Sequence, residues 1–419
     1  MNPAYNAGIG LYIGAAHIAA IGSAKVRHML DGQKETFERL RRFRSALAPE
    51  GFDVWFHAAS LGEFEQARPI IERLLQKYPD KKILVSFFSP SGYEVRCNYN
   101  PKVAVVYLPF DMPHLVKRFL DEASPRMAIF VKYEFWGNYL TELKRRGIPT
   151  YIISAIFRPT QRFFKKWGGS FRALLSLYDR LYVQDENSRQ LLESAGIHRV
   201  TVAGDTRFDR VTAIRAGRRS VPEIESFVEN SPFTLVAGSS WERDENVYIP
   251  WLKANPDVRA IIAPHEFDSH RLQSLRHHLG KGHTLLLSEL KNILSAGNPV
   301  PASARYIIID CFGLLSSLYA YADAAYVGGG FGVGIHNINE AAVYGIPVIF
   351  GPNHGKFIEA RELLQCGGAR CIDSRETLAS ALDSLSRDTS LRLSAGKAAG
   401  EYIAAHVGAS DIIMGDLFP

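Results

Sequence analysis

A chain of 419 residues, 47% hydrophobic and 22% charged with a formal net charge of +6, is too long for one hydrophobic core and too apolar to be disordered. Two globular domains are expected, and no segment is low-complexity. The four cysteines, Cys97, Cys311, Cys366 and Cys371, lack paired CxxC spacing, which argues against a zinc site and for a reducing, cytoplasmic compartment.

The first eighteen-residue run, Tyr5 to Gly22, contains no Asp, Glu, Lys or Arg. As a helix it rises about 27 Å, close to the hydrocarbon thickness of a bilayer. A cleaved signal peptide would place basic residues ahead of the run, and Met1 to Asn6 has none. A buried helix of a soluble domain is the alternative, because Gly and Ala keep the run only moderately apolar. Lys25, Arg27, Lys34, Arg39, Arg41, Arg42 and Arg44 follow, against three acids. The expectation is a membrane-associating helix over residues 1–24, held to anionic inner-membrane lipid by the basic stretch behind it. Spanning the bilayer and lying in its interface are both open.

Short apolar runs then alternate with helical patterns, at Val54–Phe56, Ile83–Ser86, Val103–Leu108, Met127–Val131, Thr150–Ile153, Leu181–Val183 and Val200–Ala203. A second series follows at Thr234–Ala237, Ala260–Ala263, Thr284–Leu287, Tyr306–Ile309, Ala324–Val327, Pro347–Phe350 and Ala369–Ile372. Such alternation predicts α/β architecture with two doubly wound, Rossmann-like domains facing a cleft, an arrangement analogous to GT-B glycosyltransferases but found also in dehydrogenases and epimerases. The boundaries expected are 25–215, 216–395 and a C-terminal helix over 396–419 packing back on the first domain, with Asp209 to Pro232 as linker.

Chemistry is sought where strands end. Glu63, in His57-Ala-Ala-Ser60-Leu-Gly62-Glu63, lies at a strand-to-helix junction; it is either a substrate-facing carboxylate or a helix-start charge favoured by the dipole. Ser89-Pro90-Ser91-Gly92 ends another strand and is either an anion-binding loop or an ordinary turn. Glu134, beside Trp136, is a substrate contact or a buried paired acid. Arg207, in Gly204-Asp-Thr-Arg207-Phe-Asp209, either stabilises a leaving phosphate or forms a salt bridge at the domain interface.

In the second series, Gly328 to Glu340 packs five glycines into seven residues before a helix, implying close approach to a nucleotide. Asn337 is expected to cap that helix, with Glu340 in its first turn facing ribose hydroxyls. The loop comes too late in the chain for an NAD fingerprint. Phe312 and Gly313 follow one strand and Pro264-His265 another. Histidines 265, 270, 277, 278, 283, 336 and 354 lack the spacing of an HExxH site, and no metal is expected.

Taken in order, His57 to Glu63, Ser89 to Gly92, Tyr107-Leu-Pro-Phe-Asp111, Glu134-Phe-Trp136, Gly204 to Asp209 and the Gly328–Glu340 loop resemble the 3-deoxy-D-manno-octulosonic acid (Kdo) transferases of lipopolysaccharide assembly. The likeness runs from the apolar N-terminus to Gly351-Pro352-Asn353. It implies an inverting GT-B enzyme at the cytoplasmic face of the bacterial inner membrane that moves Kdo from CMP-Kdo to a lipid A precursor, with neither cofactor nor nucleic-acid partner. It also implies Glu63 as general base and Glu134 and Arg207 as transition-state support. Pro264, His265, Phe312, Gly313, Leu314, Asn337, Ile338, Asn339 and Glu340 fall on the CMP-binding segments. Ser60, Gly62, Ser89, Ser91 and Gly92 are candidates for an acceptor or anion loop. The chain departs from the family at His265, where arginine is common, at Arg207, where lysine is common, and at Lys132 and Tyr133, where smaller polar residues are common. A nucleotide-sugar epimerase or hydrolase on the same fold is the main rival, and a non-catalytic nucleotide-binding protein the other.

Overall fold

Strands form where the apolar runs lie. The computed structural model describes residues 3–419; of the segment expected over 1–24, residues 1 and 2 lie outside the described residues. The first sheet contains β1 Val54–Ala58, β2 Ile83–Phe87, β3 Val103–Tyr107, β4 Ala128–Val131, β5 Thr150–Ala155, β6 Arg180–Val183 and β7 Val200–Val202. Its order is β3-β2-β1-β4-β5-β6-β7, all parallel. The second contains β8 Thr234–Ser240, β9 Arg259–Pro264, β10 Thr284–Leu286, β11 Tyr306–Ile308, β12 Ala324–Val327, β13 Val348–Phe350 and β14 Ala369–Cys371. Its order is β10-β11-β9-β8-β12-β13-β14, again parallel.

Strands covered on both faces read as unbroken apolar runs, because alternate side chains enter different cores. Trp55, Leu84, Ala128 and Phe130 enter one core of the first sheet, and Val54, Phe56, Val85 and Ile129 the other. Strand order reverses between β1 and β4 and between β8 and β12. Those are the switch points at which open α/β sheets hold ligands beyond the carboxyl ends of strands.

The chain divides into unit 1, Met1–Arg210 with Val407–Pro419, and unit 2, Val211–His406. The boundaries expected at 215/216 and 395/396 therefore move to 210/211 and 406/407. Helix Thr389–His406 stays with unit 2, where Gly396 and Gly400 lie against Gly345 and Tyr402 donates to Glu362 at 2.7 Å. Helix Ala409–Leu417 packs on unit 1 instead, placing Ile413 and Met414 in the core with Leu74. Asp209 ties its start down by accepting from Gly408 N and Ser410 N, both at 2.7 Å.

The expected linker is not irregular chain. Asp209 to Pro232 contains most of helix Thr206–Ala216 and all of helix Pro222–Val228, whose Ile224 and Phe227 are buried. Exposed charge on short helices disguised them as linker.

At the N-terminus, α1 Pro3–Ala19 turns into α2 Ala24–Leu47, whose Ser23 cap accepts from Val26 N at 3.4 Å. Ala16 packs with Met29, Leu30 and Phe110, but most of α1 is exposed. Among the described residues no helix is long and apolar enough to cross a membrane. In unit 1 two further helices frame the site, α3 Leu61–Lys77 after β1 and α4 Pro90–Arg96 after β2.

Candidate active site

Glu63 occupies the third position of α3, and Ser60 is the N-cap. Ser-x-x-Glu is the pattern of a capping box, in which serine accepts the N3 amide and glutamate the N-cap amide. That box is not made. Ser60 forms no side-chain cap, and its hydroxyl donates to the Glu63 carboxylate instead. Gly62 between them is exposed, and a Cβ there would meet nothing closer than Ser60 Oγ at 3.8 Å. The Glu63 carboxylate thus stands half-buried at the carboxyl end of β1, beside room for a substrate.

The adjacent strand β4 delivers the second carboxylate. His57 of β1 is in register with Ser86 of β2 and Phe130 of β4, and its ring is fully buried. Trp55 Nε1 donates to Ser86 Oγ at 2.8 Å, and Ser86 Oγ lies 2.9 Å from His57 Nδ1. Nδ1 also lies 3.1 Å from the Ser86 carbonyl oxygen, and on the other side of the ring Nε2–H donates to Glu134 Oε2 at 3.1 Å. Trp136 Nε1 donates to the same oxygen, and Tyr178 donates to the Glu134 carbonyl. Glu134 is therefore a buried acid held by two N–H donors.

Arg207 is held as closely. Asp205, buried, accepts from Arg207 N at 2.9 Å, from Arg207 Nε at 2.8 Å and from Gln66 Nε2 at 3.0 Å. Burial pushes the Asp205 carboxyl up, but the guanidinium and these hydrogen bonds outweigh it and leave the group below the usual carboxylate range. This Asp205–Arg207 salt bridge lies within unit 1 and is not the domain-interface pair foreseen. Tyr133, raised by burial, also senses Arg158, Arg207, Asp205 and Glu63, so the acid and the guanidinium share one neighbourhood. Lys132 before it adopts φ 69°, an uncommon backbone for a non-glycine residue at a strand end.

Ser89 caps α4 by accepting from Ser91 N at 3.4 Å, and the two hydroxyls lie 3.0 Å apart. Gly92 serves packing, because a Cβ would fall 2.2 Å from the Phe87 ring.

In unit 2, the glycine loop after β12 is shaped first by the fold. A Cβ on Gly328 would lie 2.3 Å from Ser239 O, and one on Gly330 2.5 Å from Gly351 Cα. Asp244 accepts from Gly329 N at 2.9 Å, Trp241 N at 3.0 Å and Tyr326 Oη at 2.8 Å, joining the loops after β8 and β12. Over them, His265 stacks on Trp241 at 4.4 Å and on His336 at 4.6 Å, and Trp241 Nε1 donates to His336 Nε2 at 3.2 Å. Burial, then His265, lowers the His336 pKa, which keeps that ring a neutral acceptor.

Pro264 ends β9 beneath this stack. Phe312 is 86% exposed and meets Phe267 at 4.2 Å, Gly313 has φ 82°, and Leu314 precedes the single-turn helix Leu315–Leu318. Asn337 does not cap the next helix. Its cap is Ile338 and the helix is only Asn339–Ala342, while Asn337 Oδ1 accepts from Asn339 N at 3.2 Å and Asn337 Nδ2 donates to Glu340 at 3.1 Å. Ile338 is buried, and its carbonyl accepts from Ala341 N at 3.2 Å and Ala342 N at 3.0 Å. Asn339 is fully buried with no protein partner for either side-chain amide atom. No group of three or more His, Cys, Asp or Glu forms a metal-binding cluster among the described residues.

Residues 34–210 match the family model described as 3-deoxy-D-manno-octulosonic-acid transferase (kdotransferase). Three curated 3-deoxy-D-manno-octulosonic acid transferases align along most of the chain. That of Bordetella pertussis is 29% identical over 90% of both chains. Those of Rickettsia felis and Chlamydia muridarum are each 28% identical over 82% of this chain and cover 73% and 80% of their own. The likeness to Kdo transferases thus spans most of the chain, with the family model on its N-terminal half.

Solved structures extend the fold likeness beyond the Kdo transferases. UDP-GlcNAc 2-epimerase from Neisseria meningitidis, solved with UDP-GlcNAc, aligns with TM-score 0.59 at 14% identity over 87% of this chain and 99% of its own. Acinetobacter baumannii MurG aligns with TM-score 0.54 at 13% identity over the same shares. Because the fold accommodates both, it is the sequence likeness to Kdo transferases, and not the fold, that bears on activity.

Sequence reasoning did not assign His57, Ser86, Gln66, Asp205, Trp241 or Asp244 to the site. His57 and Asp205 lie inside the motifs that carry the family resemblance. Trp241-x-x-Asp244 directly after β8 was a readable signal, an acid at the third position of a helix that follows a strand end. Ser86 and Gln66 read as ordinary core-facing positions, and only strand register and helix packing reveal them.

Proposed function

We propose that this protein is a Kdo transferase that moves Kdo from CMP-Kdo to a glucosamine hydroxyl of a lipid A precursor, with unit 1 taking the acceptor and unit 2 the donor nucleotide. Glu63 accepts the hydroxyl proton as the acceptor oxygen bonds to the anomeric carbon. The carbon–oxygen bond to CMP breaks, its electron pair leaves on the phosphate oxygen, and the anomeric centre inverts. Glu134 and Arg207 support the charge that develops, each in an orientation fixed by its own partners. CMP is assigned to Pro264 and His265, Phe312 to Leu314, and Asn337 to Glu340. Phe312 offers a ring for the base and Asn339 an unused amide. CMP-Kdo is a co-substrate, and the proposed transfer uses no cofactor.

The observation that carries this reading is the unmade capping box. A helix-start glutamate serving only stability would take the backbone amide, whereas the half-buried Glu63 carboxylate takes the Ser60 hydroxyl instead. Purified protein given CMP-Kdo and a tetraacylated lipid A precursor is expected to release CMP and a Kdo-bearing lipid, read by mass spectrometry, which also counts the Kdo units. No transfer by folded protein, or full activity in Glu63→Ala, overturns it.

The acceptor is a lipid, and α1 fits an interfacial anchor at the cytoplasmic face of the inner membrane. Leu11 and Ile18 on it are 78% and 72% exposed, Ile21 in the turn after it is 82% exposed, and the basic α2 follows. Co-sedimentation with vesicles containing anionic phospholipid is expected, and to weaken in Leu11→Glu; equal sedimentation of both proteins removes the anchor.

A further inference from the structure

The first amides of a helix have no acceptor within it. For helix Gly137–Arg145 the preceding Trp136 supplies no side-chain cap, and three amides reach to residues remote in sequence. Gly137 N donates to Tyr5 Oη at 3.1 Å, Asn138 N to Asp111 Oδ2 at 3.0 Å and Tyr139 N to Asp111 Oδ1 at 2.9 Å. Tyr5 Oη donates to Asp111 Oδ2 at 2.6 Å, and Asn138 Nδ2 donates to Asn6 Oδ1 at 2.9 Å. Asp111 is wholly buried, so these bonds replace all of its water.

This remote cap adjoins the Glu134 loop. Trp136, whose indole N–H holds the Glu134 carboxylate, immediately precedes the amide that Tyr5 accepts. A second route runs through ring contacts. Tyr12, also on α1, lies 6.5 Å from Phe88 and 6.1 Å from Phe110, and Phe88 lies 5.0 Å from Trp136. A helix that only tethered the protein to lipid would need neither connection.

We infer that α1 is a positioning element of the catalytic loop: Tyr5, with Asp111, completes the cap of helix Gly137–Arg145, fixes Trp136 and so aims the Glu134 carboxylate. The first helix is then needed for turnover apart from any contact with a membrane. This rests on the reading of Glu134 as transition-state support.

The test uses the full chain in detergent micelles, with CMP-Kdo and the lipid A precursor dispersed in the same micelles so that vesicle binding limits nothing. Tyr5→Phe keeps the ring and removes one hydroxyl. Its kcat is expected to fall about fivefold to tenfold, the scale of one lost buried hydrogen bond, with the KM for CMP-Kdo unchanged and cooperative thermal unfolding retained. In a Glu134→Gln background the same substitution is expected to cost no further activity. An unchanged kcat in Tyr5→Phe, or an equal fractional loss in both backgrounds, overturns the inference. Full activity in Glu134→Gln alone instead overturns the role of Glu134, so the two failures are told apart.

Discussion

The two switch points solve different problems with different materials. Beyond β1 and β4, charged and polar side chains are locked to one another: Glu134 to His57 and Trp136, Arg207 to Asp205, Glu63 to Ser60. Beyond β8 and β12, close backbone contacts at Gly328 and Gly330 and a stack of Trp241, His265 and His336 dominate. The first arrangement suits moving a proton and steadying charge, where orientation of a few polar atoms decides the rate. The second suits holding a flat base and a sugar phosphate, where shape decides affinity.

If this division is right, substitutions in unit 1 should act on turnover and those in unit 2 on donor binding. Glu63→Gln is expected to lower kcat about a thousandfold, within the range for a lost general base, while CMP affinity by calorimetry stays at the native value. A parallel loss of CMP affinity would break the comparison. Gly328→Ala puts a Cβ 2.3 Å from Ser239 O and is expected to weaken CMP binding by about a hundredfold, since the loop after β12 must shift. Native affinity there would mean the loop does not shape the donor site. Ser86→Ala removes the hydroxyl that lies against His57 Nδ1 and is expected to reduce kcat about tenfold at unchanged KM for CMP-Kdo. A rise in that KM with kcat intact would place the network on the wrong substrate.

Asp205 gives the smallest effect and a test in pH. Its folded pKa is lowered, so its contribution is present above the unfolded value of about 4 and is lost as pH falls through the folded one. Asp205→Asn is expected to be about 1 kcal/mol less stable at neutral pH by urea unfolding, with the gap closing as the solution is acidified below about pH 4. A gap that stays constant with pH would show that the carboxylate charge is not what holds Arg207.

The sequence was most legible where one strand alone carries the signal. Runs such as Ile83–Ser86 and Val103–Leu108 are apolar nearly throughout because both sheet faces are covered, and Glu63 and Glu134 could be found as acids just past such strands. What stayed hidden depends on pairs that meet only in space. Ser86 faces His57 by β1/β2 register, His265 reaches Trp241 across two strand ends, and Tyr5 finds Gly137 across 132 positions. No local pattern encodes these. The supposed linker failed for another reason: in helix Pro222–Val228 only Ile224 and Phe227 mark the buried side, too few for a readable period.

The grip of Asp209 on Gly408 and Ser410 bears on the order in which the chain leaves the ribosome. These partners are separated by 199 and 201 positions, and the whole of unit 2 is synthesised between them. Unit 1 therefore begins first and finishes last. Its α3 surface, which Ile413 and Met414 cover in the finished protein, stays bare through most of translation.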